Sequence, residues 1–399
     1  MPTCDDEKLH VKLGELELKN PIMVESAGYI VDSWSMKRMI RTGAGAVITK
    51  STTWHPQGGW PRRWEWSPRP RNYWNLADGT MLTSAFPEDP GHFSGMDGTE
   101  SLLNPGYKRM ARAIREAKPL AEEENCRIIG SFSPRSVEEG VQIAREFERA
   151  GASAIHMDLQ CPSARFFRGK QLPGLDYEKL GDWWSEDVER VVSLVTALRD
   201  AIEIPIWPKP IIPVWARRSP KSLKRLDEVR PDAYPFMVYR IPYGKWIDVY
   251  RGKPTMPPDN NPLPFVVPYT VGTTAILAKL TSIDLIPSGG VSTTNEVLSL
   301  LMVGASAVGV CRAFYKDKDV CKKICEGLEY YIVSQALNSI SDIKGAALPH
   351  IEMKTPLPEE VYQGAYEIPV PPVDEEIEVQ KRVQRGGRSS LRQGNRQSG

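Results

Sequence analysis

The sequence predicts a (β/α)8 barrel, the TIM barrel architecture, and three observations carry that prediction. Short β-branched runs alternate with longer amphipathic segments about eight times along the chain. The runs are almost continuously apolar, as parallel strands covered on both faces are. Glycine repeatedly stands where one element gives way to the next. A doubly wound open sheet shares this alternation and is the competing arrangement.

Taken in order, "PIMVES" is the first buried strand, and "SWSMKRMIRTG" is a helix closed by Gly43. "AGAVITK" and "CRIIGSF" are the second and third strands. "SVEEGVQIAREFERAG" follows as a helix that opens on a capping box, Ser136 with Glu139. Its apolar stripe runs through Val137, Val141, Ala144 and Phe147 before Gly151. "SAIHMDL", "PIWPKP" and "DAYPFMVY" supply strands four to six. "IDLIPSGG" and "ASAVGVC" supply the last two, separated by the helix "TTNEVLSLLMVG" with a second box, Thr293 with Glu296.

Eight strands over ~350 residues exceed the ~250 typical of a barrel, so insertions are expected. Three long segments after strand ends provide them, at about 54–104, 162–184 and 240–269, all rising from the same rim. The barrel is expected to occupy residues 1–354. From Thr355 to the end the chain turns Pro/Glu-rich and then basic, with six Arg/Lys and no acid in "KRVQRGGRSSLRQGNRQSG", a composition that reads as a disordered tail.

Composition narrows the class. Apolar residues are 41% and charged residues 25% of 399, enough for a full core in a water-facing protein. A net charge of +1 disfavours nucleic acid as a partner. No apolar run approaches the roughly 20 residues that span a bilayer, and the first residues lack the layout of a secretion signal. Six scattered cysteines show no disulfide framework, which points to a reduced cytoplasmic setting. Cys321 and Cys325, one helical turn apart, are too few for a metal site and read as buried thiols.

In a barrel, chemistry gathers at the C-terminal ends of the strands. Here these ends deliver Glu25, Ser26, Ala27 and Gly28, then Lys50 and Ser51, then Asp158 and Cys161. Lys209, then Tyr239 and Arg240, then Ser288, Gly289 and Gly290, and finally Cys311 and Arg312 complete the set. Two lysines, a thiol and a carboxylate on one rim suit proton movement better than packing. The Gly-Gly pair after strand seven suits a phosphate held by backbone N–H groups, with Arg312 adding charge. A tight strand-to-helix turn would also ask for glycine.

The pieces "LKNPIMVESAGY", "GAGAVITKSTT", "DLQCPS", "WPKP", "IPSGGVST" and "ALNSISDIKGAAL" occur in an order that resembles the class 1 dihydroorotate dehydrogenases and the pyrimidine-binding part of dihydropyrimidine dehydrogenase. The resemblance covers about Leu16 to Leu348. It implies an FMN-binding barrel and a flavin-dependent oxidoreductase acting on a CH–CH group. It carries over Lys50, Ser51, Lys209, Gly289 and Gly290 to cofactor contact, and the strand-end residues Ser26, Ala27, Gly28, Asp158, Cys311 and Arg312 are expected to bind the cofactor beside them. Cys161 takes the position that exchanges a proton with substrate, with Lys50 and Lys209 beside the flavin. Asn104, Ser163, Tyr239 and Arg240 fall where substrate is contacted.

Several of those substrate positions depart from the family. Asp158 stands where asparagine is usual and Ser163 where asparagine or a similar polar residue is, Tyr239 replaces an amide-bearing residue, and Cys311-Arg312 replaces Gly-Thr. Asn104 matches only the end of the family's substrate segment. Amides suit a planar ring that both donates and accepts, whereas Arg165, Arg168 and Arg240 suit an anion. The substrate expected is therefore a cyclic or unsaturated anion, not necessarily a pyrimidine. The alternatives are an authentic dihydroorotate or dihydropyrimidine dehydrogenase and a catalytically altered structural subunit of a larger redox complex. With no iron–sulfur or dinucleotide motif, electrons are expected from a second small-molecule substrate or an electron-transfer partner subunit, in a homo- or hetero-oligomer. The stretch "WHPQGGWPRRWEWSPRPRNYW" holds five tryptophans and four arginines in 21 residues. It reads as a lid, a subunit interface, a surface for single strands, or an insertion packed over the barrel.

Overall fold

A computed structural model of the chain describes residues 7–56, 71–74, 81–84, 95–96, 104–161, 179–211, 220–237, 247–248, 253–254, 266–315 and 317–351. Ser163, Arg165, Arg168, Tyr239, Arg240, most of the Trp/Arg-rich stretch and the tail lie outside them, and Arg312 is described by its backbone alone.

Eight strands make one sheet: β1 Ile22–Val24, β2 Ala46–Ile48, β3 Arg127–Phe132, β4 Ala154–Asp158, β5 Ile206–Lys209, β6 Ala233–Met237, β7 Asp284–Ser288 and β8 Val308–Val310. Their order across the sheet is β5-β4-β3-β2-β1-β8-β7-β6, and each neighbouring pair is parallel. Every neighbour is thus the next strand in the chain, or the last beside the first. That order closes a ring and excludes the doubly wound sheet, in which the strand order reverses at an internal switch point. The seam between β5 and β6 is drawn together by Asp232. Its backbone N–H donates to Ile206 O at 3.1 Å, and its carboxylate accepts from Ile206 N at 2.8 Å. At the upper end Gln160 Nε2 donates to Met237 O at 3.3 Å.

One main helix follows each strand: α1 Ser33–Ile40, α2 Tyr107–Glu123, α3 Val137–Ala150, α4 Val188–Arg199, α5 Pro220–Asp227, α6 Val266–Leu280, α7 Thr294–Met302 and α8 Val320–Ser334. Helix α7 carries the full reciprocal box of Thr293 and Glu296. At α3 only half of the expected box forms. Ser136 accepts from Glu139 N, but the Glu139 carboxylate bonds Arg135 N, one residue before the cap, at 3.0 Å. The helix ends at Gly151 in the left-handed conformation, as its sequence foretold. Its buried stripe is also shifted: Gly140, Ile143, Ala144, Phe147 and Ala150 face inward, while Val137 and Val141 are only partly covered.

The strands look continuously apolar because both faces are buried, against different partners. Ile22, Val24, Val47, Ile155, Phe236 and Val310 pack against the helices. The alternate positions Met23, Ile48, Ile129, Trp207 and Ile286 fill the inside of the ring. Ahead of β1, Val11–Leu13 and Leu16–Leu18 form an antiparallel hairpin that inserts Leu13 and Leu18 into that interior. Its turn residue Gly14 donates to Asp284 at the start of β7, and Arg127 at the start of β3 donates to Glu17 O. The hairpin therefore stoppers the N-terminal end of the barrel.

Two insertions carry backbone ladders of their own. Arg71–Trp74 pairs antiparallel with Met81–Ser84 and Gly95–Met96, and Ile247–Asp248 pairs with Lys253–Pro254. No helix among the described residues is long and apolar enough to cross a membrane. Cys321 and Cys325 are buried thiols on α8.

Candidate active site

Moving two residues up a strand returns to the same face, and in this barrel that step changes the chemistry. Inside the ring Met23 gives way to Glu25, Ile48 to Lys50, Ile129 to Ser131, and Trp207 to Lys209. Ala154 gives way to His156 and then Asp158. All six polar side chains are buried. Burying a charge costs several kcal/mol unless it is paired, and the layer pairs its charges. Lys209 Nζ lies 3.8 Å from Glu25 Oε2, with both side chains almost fully covered. Lys209 is also the register partner of Asp158 on the adjacent strand. Burial disfavours the Lys209 ammonium, but the Glu25 and Asp158 carboxylates outweigh it and hold the group above the usual lysine range. Burial likewise disfavours the Asp158 carboxylate. Lys209 and His156, helped by the Cys161 N–H and the Ser51 hydroxyl, still hold it below its usual range. Both groups are ionised at neutral pH.

A chain of hydroxyls runs through this layer. Ser26 Oγ meets Ser51 Oγ at 3.1 Å, Ser51 Oγ meets Ser131 Oγ at 2.9 Å, and Ser131 Oγ meets His156 Nδ1 at 2.8 Å. Ser51 Oγ also donates to Asp158 Oδ2 at 2.9 Å. Burial, and then the charge of Lys209, push His156 down to about 4, so its ring is neutral. His156 Nε2 and Glu25 Oε1 are buried with no hydrogen-bond partner among the described residues. Gly309 makes room for the acid: a Cβ there would lie 2.6 Å from Glu25 Cγ and 2.8 Å from Ser288 Cβ.

Cys161 stands half-buried just beyond β4. Its backbone N–H donates to Asp158 Oδ1 at 3.0 Å, and the Gln160 N–H reaches the same oxygen at 3.4 Å. Asp158 thus uses one oxygen to shape the turn that carries the thiol and the other to anchor Ser51. Lys209 lies within electrostatic range of both Cys161 and Cys311.

After β7, Gly289 and Gly290 adopt φ of 119° and 83°, values that favour glycine. Gly290 is exposed and Gly289 half-buried. Their amides have no acceptor among the described residues, and Thr270 Oγ1 pins the loop through Gly289 O at 3.2 Å. A Cβ on Gly290 would also strike Val267 Cγ2 at 2.7 Å, so packing and access ask for the same residue. Just ahead of α7, Ser292 N and Thr293 N are taken, donating to Glu296 Oε2 at 2.6 and 2.8 Å. Any anion cradle here is therefore built on the glycine amides and not on these two.

The remaining residues singled out in the sequence fall as follows. Ala27 is buried and Gly28 half-buried in the turn after β1, and Lys50 is buried at the top of β2 without an ion-pair partner among the described residues. Cys311, after β8, is half-buried and accepts from Tyr29 OH through its carbonyl at 2.8 Å. Asn104 is fully buried. Its carbonyl oxygen takes Thr53 N at 3.1 Å and Gly106 N at 2.9 Å, and its amide donates to Thr53 Oγ1. It fixes the return of the chain into α2. Sequence reasoning noted Glu25 at a strand end but gave it no role, and passed over Ser131 and His156. The signal was there in the period of two: His156 shares a face with Asp158.

A cofactor with a phosphate and a planar, redox-active ring fits this donor set. The rim offers unaccepted amides on the β7 side, and a floor of serine hydroxyls and lysines on β1, β2 and β5.

Comparison with known proteins agrees in kind. The family model for dihydroorotate dehydrogenase matches residues 266–332, which span α6 through most of α8 and include the glycine loop. The catalytic subunit of dihydroorotate dehydrogenase B (NAD(+)) from Geobacillus kaustophilus is 26% identical over 347 residues, covering 85% of this chain and 95% of that one. The proteins of the same name from Thermoplasma volcanium and Methanothermobacter thermautotrophicus are 24% and 25% identical, over 84% and 85% of this chain and 97% and 98% of theirs. The chain is similar to these proteins over nearly their whole length.

Proposed function

We propose that this relative of the dihydroorotate dehydrogenases is an FMN-dependent oxidoreductase acting on a carbon–carbon bond of a cyclic or unsaturated anion. One observation carries the reading. The backbone N–H of Cys161 is held by an ionised Asp158 at the mouth of a barrel whose buried upper layer places Lys209 within electrostatic range of the thiol.

Bound FMN supplies the two-electron chemistry that no side chain here can perform. Gly289 and Gly290, with Arg312, hold its phosphate. Ser26, Ala27, Gly28, Lys50, Ser51, Lys209 and Cys311 surround the remainder. Cys161 gives a proton to, or takes one from, the substrate carbon, and the Lys209 ammonium stabilises negative charge that gathers on the sulfur meanwhile. Asp158 positions the thiol through its N–H. Because Asp158 is ionised it only accepts hydrogen bonds, so it does not offer a substrate ring the donor that an asparagine would. Substrate recognition therefore rests on other groups, with Ser163, Tyr239 and Arg240 at the matching positions; Asn104, the fourth, is engaged with Thr53 and Gly106. The relatives' name, catalytic subunit, supports a partner chain as the route for electrons.

The test is a visible spectrum of the chain purified without oxygen, with the released cofactor identified. A flavin spectrum that an anionic substrate such as dihydroorotate bleaches is the expected result. A colourless chain that takes up no added FMN would favour a structural subunit instead.

A further inference from the structure

Lys209 does not face the rim alone. Its partner in the same layer, Glu25, is completely buried, and its Oε2 lies 3.8 Å from the ammonium. Two features show that this acid is accommodated by design of the sequence. Gly309 on β8 leaves the space, since a Cβ there would sit 2.6 Å from Glu25 Cγ and 3.0 Å from its Oε1. Glu25 Oε2 also accepts the Ser26 N–H at 3.1 Å, which ties the carboxylate to the turn that begins the cofactor floor. The upper layer then holds two cations, Lys50 and Lys209, and two anions, Glu25 and Asp158, so their formal charges cancel. Without Glu25 the same space would carry one net positive charge in a medium where screening by water is weak.

Building on the FMN reading above, we propose that Glu25 is a positioning residue that neutralises Lys209 and thereby lowers the reduction potential of the flavin. Uptake of two electrons and one proton adds one negative charge to a neutral flavin ring. A lysine already paired with a buried carboxylate stabilises that charge less than an unpaired one, so the pair tunes the cofactor toward giving electrons up.

The experiment is a redox titration of the FMN-loaded full chain against a dye of known potential, with dithionite as the two-electron reductant. Glu25→Gln keeps the shape and removes the charge. It is expected to favour the reduced form at least tenfold, an upward shift of about 30 mV for a two-electron couple. Glu25→Asp, which retains the charge, is expected to stay nearer the wild type. A Glu25→Gln potential equal to that of the wild type, with FMN bound in both, would overturn this inference and leave the FMN reading standing. A wild-type chain that binds no FMN would overturn both. If the variant does not fold, the reduced-minus-oxidised infrared spectrum of wild-type protein carrying 13C in its glutamate carboxylates decides. A labelled carboxylate band that responds to reduction supports the role, and its absence removes it.

Discussion

The lower and upper halves of the barrel interior are built from the same strands at the same period, yet they do opposite things. Below, Met23, Ile48, Ile129, Trp207 and Ile286 close on one another and on the hairpin leucines Leu13 and Leu18. Above, two residues further along, stand Glu25, Lys50, Ser131, His156, Asp158 and Lys209, equally removed from water. The first half gains from dehydration and the second is penalised by it. The contrast shows where the fold stores stability and where it forgoes some to hold charges ready for chemistry.

Substitutions divide along that line, and the largest effect falls on turnover. Cys161→Ala should slow turnover of an accepted substrate by roughly 10²- to 10⁴-fold, the range for losing a positioned acid or base. FMN content and stability should be unchanged, read by steady-state kinetics alongside the flavin spectrum. Equal loss of flavin would mean that the thiol belongs to the scaffold. Next come two replacements of similar weight on opposite sides of the divide. Lys209→Met strands Glu25 and Asp158 and should destabilise by about 3–5 kcal/mol at neutral pH. Trp207→Ala opens a cavity and should cost about 3–5 kcal/mol at any pH. Urea unfolding at pH 4 and pH 7 separates them, because acid relieves only the first.

The pH dependence gives a somewhat smaller effect. The folded His156 titrates at about 4 against 6.5 for an ordinary histidine. Between those values the unfolded chain binds a proton that the folded one does not. Stability is therefore full above pH 6.5 and falls as the pH drops toward 4, by about 3 kcal/mol in all. His156→Gln should flatten that slope in thermal melts across the window, and an unchanged slope would assign it to other groups. Smallest is Gly289→Val. Its φ of 119° strains any side chain, for about 1–3 kcal/mol. The branched side chain should also crowd the amides and weaken FMN binding about tenfold, roughly 1.4 kcal/mol. Equilibrium dialysis checks it, and unchanged affinity would leave the loop a mere turn.

The sequence revealed the barrel through the rhythm of its strands, and all eight lie within the segments it marked. The seam was invisible, because β5 and β6 are joined through Asp232, by its backbone N–H and its carboxylate, and not by a regular ladder. Cys161 and Lys209 were legible from their place at strand ends. Glu25 was seen without its purpose, since an acid after three apolar residues says nothing about a lysine 184 positions later until the ring brings them together. His156 hid for a different reason: inside "AIHMD" one histidine among apolar neighbours reads as core. Asn104 shows the converse, an amide at an expected substrate position whose polar atoms hold the backbone of its own loop.

The leucines of the N-terminal hairpin carry one last implication. Leu13 and Leu18 cork the far mouth of the ring, so among the described residues its lower end is closed. Small molecules that exchange electrons at the opposite, upper rim should then take turns there, and their kinetics should follow the parallel lines of a two-stroke cycle.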